Sequence, residues 1–207
     1  MTKEVKTNYE KWYEGDDYYW GLEPAELCKE IAAILPKDKK LKILDIGCGE
    51  GKDIIYFGKL GYEVSGFDIT ENGIRKTKAL ALREGVEINA YIDDVNTFEL
   101  NDNYDVIYST GTIQYLDDDD KKDRFFEMVK SHTNVGGINW FNVFVDKPFI
   151  PLPPDWDKTE KMWMSGDLFS RYPDWKFLRV DEEIFECHSS GVPHLHCMDV
   201  LFAKKMK

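Results

Sequence analysis

An acid two positions ahead of a run of alternating glycines is the sharpest chemical signal in the chain. Leu44-Asp45-Ile46-Gly47-Cys48-Gly49-Glu50-Gly51 stands where an apolar run gives way to a helical pattern. Gly47 and Gly49 permit a tight turn and let the backbone approach a ligand with no Cβ in the way. Such a turn places a ligand at the carboxyl ends of the strands, near a helix N-terminus. Asp68, in Gly66-Phe67-Asp68, closes the next apolar run, and a carboxylate there can accept both hydroxyls of a ribose.

A dinucleotide-binding fold puts a glycine turn and a ribose acid in the same places. Two details argue against a nicotinamide-dependent oxidoreductase. The glycines read G-x-G-x-G rather than G-x-G-x-x-G, and Asp45 would repel a pyrophosphate. A ligand with an ammonium group and a sulfonium, such as S-adenosyl-L-methionine, is attracted instead. Asp93-Asp94-Val95 follows the third apolar run. Of its two acids, Asp94 reads as the one for an adenine amino group and Asp93 as a solvated turn acid. Ser109 and Thr110 end the fourth run, where they either line a methyl-transfer site or only turn the chain.

A second group of reactive side chains lies near the end: Cys187, His188, His194, His196 and Cys197. Residues two apart on a strand share a face, so His194 and His196 can act together. Adjacent Cys-His pairs point to opposite faces and no Cys-x-x-Cys is present, so the spacing predicts no metal. A histidine at the substrate mouth, binding an anion or acting as a base, is the favoured role. Arg171 is the best cationic candidate upstream. Trp20, Tyr18 and Tyr115 are candidate pocket walls, and aromatic faces stabilise a sulfonium by cation–π contact. Core packing is expected for Trp12, Trp156 and Trp163.

The elements needed to position these groups are legible. Apolar runs at Leu41–Ile46, Tyr62–Phe67, Val86–Ile92, Tyr104–Tyr108 and Ile138–Val145 read as strands, the last entered through a Gly136-Gly137 turn. Helical patterns lie between them. Pro24 opens one ending near Leu35, Thr70 caps another stopped by Gly85, and Asp117–Asp120 starts the one containing Phe125. The first twenty residues show little period. Residues 147–176, rich in proline and tryptophan, read as an insertion or lid with a helix near Asp167–Arg171. Phe177–Phe185 and Leu195–Ala203 form a hairpin. The alternation predicts a single α/β domain over 1–207, with a mostly parallel twisted sheet, helices on both faces and a C-terminal antiparallel hairpin. Residues 1–22 are expected to cover the site from one side and 147–176 from the other.

Composition narrows the partners. The chain has 207 residues, enough for one sizeable core, and a net charge of −12 without a basic patch, which disfavours nucleic acid. Four scattered cysteines suggest reduced thiols, and the first eight residues lack the apolar core of a signal peptide. No run reaches the roughly 18 apolar residues of a membrane helix. A cytoplasmic protein acting on a small-molecule methyl acceptor is the expectation.

Over most of its length the sequence resembles class I S-adenosylmethionine-dependent methyltransferases with their Rossmann-like fold. More narrowly it resembles the tellurite-resistance (TehB-like) family. The resemblance rests on Leu44–Asp53, Val64–Gly73, Tyr104–Leu116, Gly136-Gly137, Ser165–Leu168 with Arg171, Tyr172 and Trp175, and the hairpin with His188. The segment Tyr18-Tyr19-Trp20-Gly21 with Pro24 is similar to the start of related enzymes. This chain has Ser189 where such enzymes can carry an arginine after the histidine. The resemblance implies a cofactor site of Trp20, Asp45, Gly47, Cys48, Gly49, Asp68, Ile69, Asp94, Val95 and Ser109. Candidate catalytic residues are His188, His194 and Arg171. The implied acceptor is tellurite, selenite or a related chalcogen or thiol compound. A non-catalytic module that only binds the cofactor is the remaining alternative.

Overall fold

The computed structural model describes residues 1–152, 162–188 and 191–207. Seven strands form one sheet: β1 (Lys42–Ile46), β2 (Glu63–Asp68), β3 (Asn89–Ile92), β4 (Tyr104–Ser109), β5 (Thr133–Phe144), β6 (Lys176–Cys187) and β7 (His194–Lys204). Their order is β3-β2-β1-β4-β5-β7-β6. The first five are parallel, and β7 runs antiparallel between β5 and β6. The predicted hairpin is therefore present, with its second strand inside the sheet and its first at the edge.

Helices α1 (Lys3–Trp12), α2 (Glu26–Ile34), α3 (Lys52–Lys59), α4 (Glu71–Glu84), α5 (Asp119–Ser131) and the short α6 (Asp167–Ser170) pack around it. Alternation along the central strands feeds two cores. Leu44, Ile107, Phe141 and Leu201 meet Phe125, Phe126 and Val129 of α5. Ile43, Val106, Trp140 and Val200 meet Cys28 and Ile31 of α2 and Ile54 and Phe57 of α3. Burial on both faces is why β1 and β4 read as continuous apolar runs. Among the described residues no helix is long and apolar enough to cross a membrane.

Local signals set most boundaries. Thr70 caps α4 by accepting from Gly73 N, Gly85 ends it with φ +66°, and Asp118 caps α5 by accepting from Lys121 N. Several expectations need correction. The first twenty residues contain a real helix, α1, mostly polar and with Val5 as its buried residue. It is held by Glu10, whose carboxylate accepts from the N–H groups of Glu71 and Asn72 at the start of α4. Pro24 is not the first helical residue: Ala25 is the cap, fixed by its N–H donating to Asp53 Oδ1 at 2.7 Å. Gly136-Gly137 lies inside β5, where its pairing with β4 is irregular, and the close approach there demands glycine, because a Cβ on Gly137 would meet two carbonyl oxygens at 2.8 Å. Trp163 is buried as expected, whereas Trp12 is exposed and stacks on Tyr19. Trp156 lies outside the described residues.

Two substitutions separate core packing from capping. Phe125→Ala should cost about 3–5 kcal/mol in urea unfolding, as expected for a fully buried ring. Asp118→Ala should cost only about 1 kcal/mol, the usual value of a helix cap.

Candidate functional site

A cavity of about 460 Å³ opens at the carboxyl ends of β1 to β5. This is the switch point between β1 and β4, where open α/β sheets bind ligands. The glycine turn forms its floor. Gly47 N and Cys48 N both donate to Phe67 O, at 2.8 and 2.9 Å, tying the turn to β2. Gly47 has φ +84°, and a Cβ there would sit 1.9 Å from Thr112 Oγ1. That glycine is thus required by the neighbouring loop as well as by any ligand.

Asp68 braces the same turn. Its Oδ1 accepts from Thr70 N (2.9 Å) and Thr70 Oγ1 (2.6 Å), and its Oδ2 accepts from Gly49 N (3.1 Å). Burial pushes its carboxyl above the usual range, and these three hydrogen bonds oppose the shift. Oδ2 retains acceptor capacity toward the cavity. Asp45 is buried and accepts from Tyr108 Oη at 2.7 Å. Burial first, then the nearby Asp53 charge, holds its carboxyl well above the ordinary value. The Cys48 thiol is likewise pushed up by burial and the Asp45 charge, so it stays neutral.

The cavity is acidic. Among the described lining residues Glu26, Asp45, Glu50, Asp53, Asp68, Asp93 and Glu183 are acids, and Lys52 is the side-chain cation. Two polar atoms in its wall, Thr110 Oγ1 and Gln114 Oε1, are buried without a hydrogen-bond partner among the described residues. Buried polar groups normally find partners. Shape, charge and these two atoms together fit a polar ligand with a positive end.

A buried ion pair joins the floor to the N-terminal wall. Lys76 Nζ of α4 lies 2.7 Å from Glu50 Oε1, both side chains nearly inaccessible. Lys76 also donates to Asp17 O at 2.5 Å, and Glu50 Oε2 accepts from Trp20 N at 3.2 Å. Trp20 Nε1 in turn donates to Tyr13 Oη at 2.9 Å. Tyr9, Tyr13, Trp20 and Gly21 line the cavity in consequence.

Of the residues singled out in the sequence, Trp20, Asp45, Gly47, Cys48, Gly49, Asp68, Ile69 and Val95 line this one cavity, as does Tyr115. Asp93 and Thr110 line it too, and the others lie elsewhere. Asp93, taken as a turn acid, is a lining residue, while Asp94 is not. The Asp94 carboxylate accepts from Asn96 N and from the Met1 ammonium, each at 2.9 Å. Ser109 is fully buried and donates to Ile46 O at 2.7 Å, bracing β1 against β4, and Thr110 takes the lining position. Tyr18 packs against Lys76 and Arg83 outside the cavity.

None of the three candidate catalytic residues lines the cavity. Arg171 pairs with Asp123 and lies over Phe126, so it fastens α6 to α5. His188 is exposed and 2.9 Å from Glu186. His194 turns toward His196, with 3.0 Å between their Nε2 atoms. The described part of 147–176 does not cover the cavity either. Trp163, Leu168, Tyr172 and Trp175 are buried in the α5-side core. Residues 153–161 and Ser189 fall outside the described residues. The hairpin end of the cavity is instead lined by Asn142, Phe144, Glu183, Phe185 and Met198. These had no local signature, because only β7 insertion beside β5 brings them together.

The ion pair supplies a stability test. Lys76→Met should lower stability by about 3–5 kcal/mol in urea unfolding, because it strands a buried Glu50 carboxylate. Glu50→Gln added to Lys76→Met should recover much of that loss.

Comparison with known proteins identifies the family. The family model for "Tellurite resistance protein TehB" matches residues 6–193. The chain is 32% identical over 149 residues to the "Probable S-adenosyl-L-methionine-dependent methyltransferase TehB" of Haemophilus influenzae, covering 72% of this chain and 51% of that protein. It is 28% identical over 149 residues to "Hemagglutinin 1" of Eikenella corrodens, covering 72% and 48%. The chain therefore spans about half the length of these curated relatives. The crystal structure of TehB from Haemophilus influenzae superposes with a TM-score of 0.77 at 26% identity, covering 97% of this chain and 66% of the other. A TehB-like methyltransferase structure from Corynebacterium glutamicum shares the fold, with a TM-score of 0.64 at 18% identity and coverage of 99% and 100%. The fold is the Rossmann-like fold of class I methyltransferases, and the chain belongs to the tellurite resistance protein TehB family.

Proposed function

We propose that the chain is an S-adenosylmethionine-dependent methyltransferase acting on a small, soft chalcogen nucleophile. The observation that carries this reading is the acidic, glycine-floored cavity at the switch point. Its charge suits a cationic cofactor and opposes the pyrophosphate of a nicotinamide dinucleotide. In this reading Asp68 Oδ2 accepts from the ribose, and Asp45 offsets the cofactor's ammonium charge. Asp93 and Val95 flank the adenine, replacing the Asp94 expected from sequence. Thr110 and Gln114 receive the polar partners they lack. Bound S-adenosylmethionine supplies a methyl carbon already activated by its sulfonium.

The chain's own contribution is position and exclusion of water. Holding the acceptor in line with a preactivated carbon accounts for much of the rate of such a displacement. Trp20, Tyr9 and Tyr13 close one side. At the other, Phe144, Phe185 and Met198 offer polarisable, weakly polar surface, and Glu183 is neutralised by Arg179. That lining favours a thiol- or selenol-like acceptor over a tellurite or selenite oxyanion, for which the cavity's predominantly acidic lining offers Lys52 as its side-chain cation. His188, His194 and Arg171 play no direct part in this reading.

Three measurements test it. Calorimetry should show S-adenosylhomocysteine binding, weakened by about 1–3 kcal/mol in Asp68→Ala. Absence of binding to the wild type would overturn the cofactor assignment. Hydrogen exchange over residues 9–21 should slow on addition of S-adenosylhomocysteine. In an acceptor panel, thiols should be methylated faster than tellurite or selenite, and the reverse order would overturn the acceptor class.

The pH dependence has a definite sign. The Asp45 carboxyl is held above its ordinary range in the free protein. A ligand ammonium lowers that pKa, so binding releases a proton. Affinity for S-adenosylhomocysteine should therefore strengthen as pH rises through the raised Asp45 value, and Asp45→Asn should flatten this dependence.

A further inference from the structure

The antiparallel register of the hairpin joins residues that are distant in sequence. Cys187 is the direct cross-strand partner of His194, and His196 lies two residues farther along the same face of β7. The cysteine sulfur and one nitrogen of each histidine all lie within 4.8 Å of one another. His196 is buried, wedged against Phe144 and Phe185 with ring centroids 4.9 and 5.6 Å away. Cys187 and His194 are half-buried.

The tautomer of His194 is set by its surroundings. Its Nδ1 lies 2.8 Å from Val192 O, a carbonyl that can only accept, so Nδ1 carries the proton. In the neutral ring Nε2 then carries a lone pair and accepts from His196 Nε2–H at 3.0 Å, so a metal ion between the rings requires His196 to carry its proton on Nδ1 instead. A backbone carbonyl on the far nitrogen is the usual way a ligating imidazole is oriented. Two such nitrogens on a tetrahedral zinc ion stand about 3.3 Å apart, and a thiolate sulfur stands about 3.6 Å from each. Reaching that arrangement takes small side-chain adjustments, release of the Cys187 thiol proton to solvent and a shift of the His196 proton from Nε2 to Nδ1.

We propose that Cys187, His194 and His196 form a binding site for a divalent, borderline-soft transition-metal ion of the zinc type. One thiolate and two imidazoles are a donor set such ions prefer. Three protein ligands leave a coordination position for solvent or a soft anionic atom. The site adjoins the hairpin end of the cavity through Phe144 and Phe185, which touch both. It does not depend on the methyl-transfer reading, since its residues lie outside the cavity lining.

The test uses cobalt(II) as a spectroscopic substitute, with zinc(II) in competition. The full chain, treated with chelator, should bind one equivalent of cobalt. Thiolate-to-cobalt charge-transfer absorption should appear in the near ultraviolet, with visible bands of tetrahedral intensity, and zinc should abolish both. Cys187→Ser should remove the charge-transfer band, and His194→Ala should weaken cobalt binding at least about tenfold. Thermal unfolding of each variant, with the cobalt-free wild type as reference, checks that the fold is intact. Half-exposed Cys187 and His194 are chosen because replacing buried His196 also disturbs packing. Failure of the wild type to bind cobalt or zinc stoichiometrically at micromolar concentration would overturn the proposal. So would undiminished binding in both variants, and His194 and His196 would then be only a hydrogen-bonded imidazole pair.

Discussion

The buried pair of Lys76 and Glu50 joins three otherwise separate parts of the chain: the glycine turn, helix α4 and the segment around Trp20. Two charges removed from water cost several kcal/mol each unless every hydrogen-bonding position is used. Here Lys76 reaches Glu50 and Asp17 O, while Glu50 also takes the Trp20 N–H. The ammonium lies 5.3 Å from the centroid of the Tyr18 ring, adding a cation–π contact. These requirements fix the N-terminal segment on the rim. The cavity has a wall of aromatic side chains there because the pair demands partners.

The same electrostatic economy runs through the site. Acids converge at the carboxyl ends of the strands, and each is handled differently. Asp68 is held by three donors and doubles as a brace for the turn. Asp53 Oδ1 takes the N–H of Ala25 and so sets where α2 begins. Among the described residues Asp45 accepts from the Tyr108 hydroxyl alone, and burial raises its carboxyl. An acid left so short of donors is positioned to gain from a cationic ligand. That is the physical link between the fold and a sulfonium-bearing cofactor.

The acceptor end shows how topology decides chemistry. Inserting β7 between β5 and β6 presents one face of the hairpin to the cavity, with Met198 and Phe185 on it. Farther along that face stand Cys187, His194 and His196. Arg171, although attractive as an anion-binding residue, is drawn away by Asp123 and by packing on Phe126. Trp163, Leu168, Tyr172 and Trp175 of its segment are buried in the core on the α5 side.

The sequence alone determined the alternation of strands and helices, the glycine turn, its acids, the cap at Thr70, the stop at Gly85 and the acidic helix start at Asp117–Asp120. Each of these depends on neighbours within a few residues, through backbone sterics, helix capping or strand alternation. Helix α1 was missed because most of its residues are polar and its anchor, Glu10 on the start of α4, is a contact distant in sequence. Whether Asp93 or Asp94 faces the cavity, and whether Ser109 or Thr110 does, turns on one step of strand phase at a loop, which local pattern leaves open. The cysteine–histidine grouping was visible in the sequence, but adjacent Cys-His pairs point apart and cross-strand register is what puts Cys187 beside His194. Tertiary structure decided these points because side-chain direction at strand ends and across a hairpin is set by pairing partners far away in the chain.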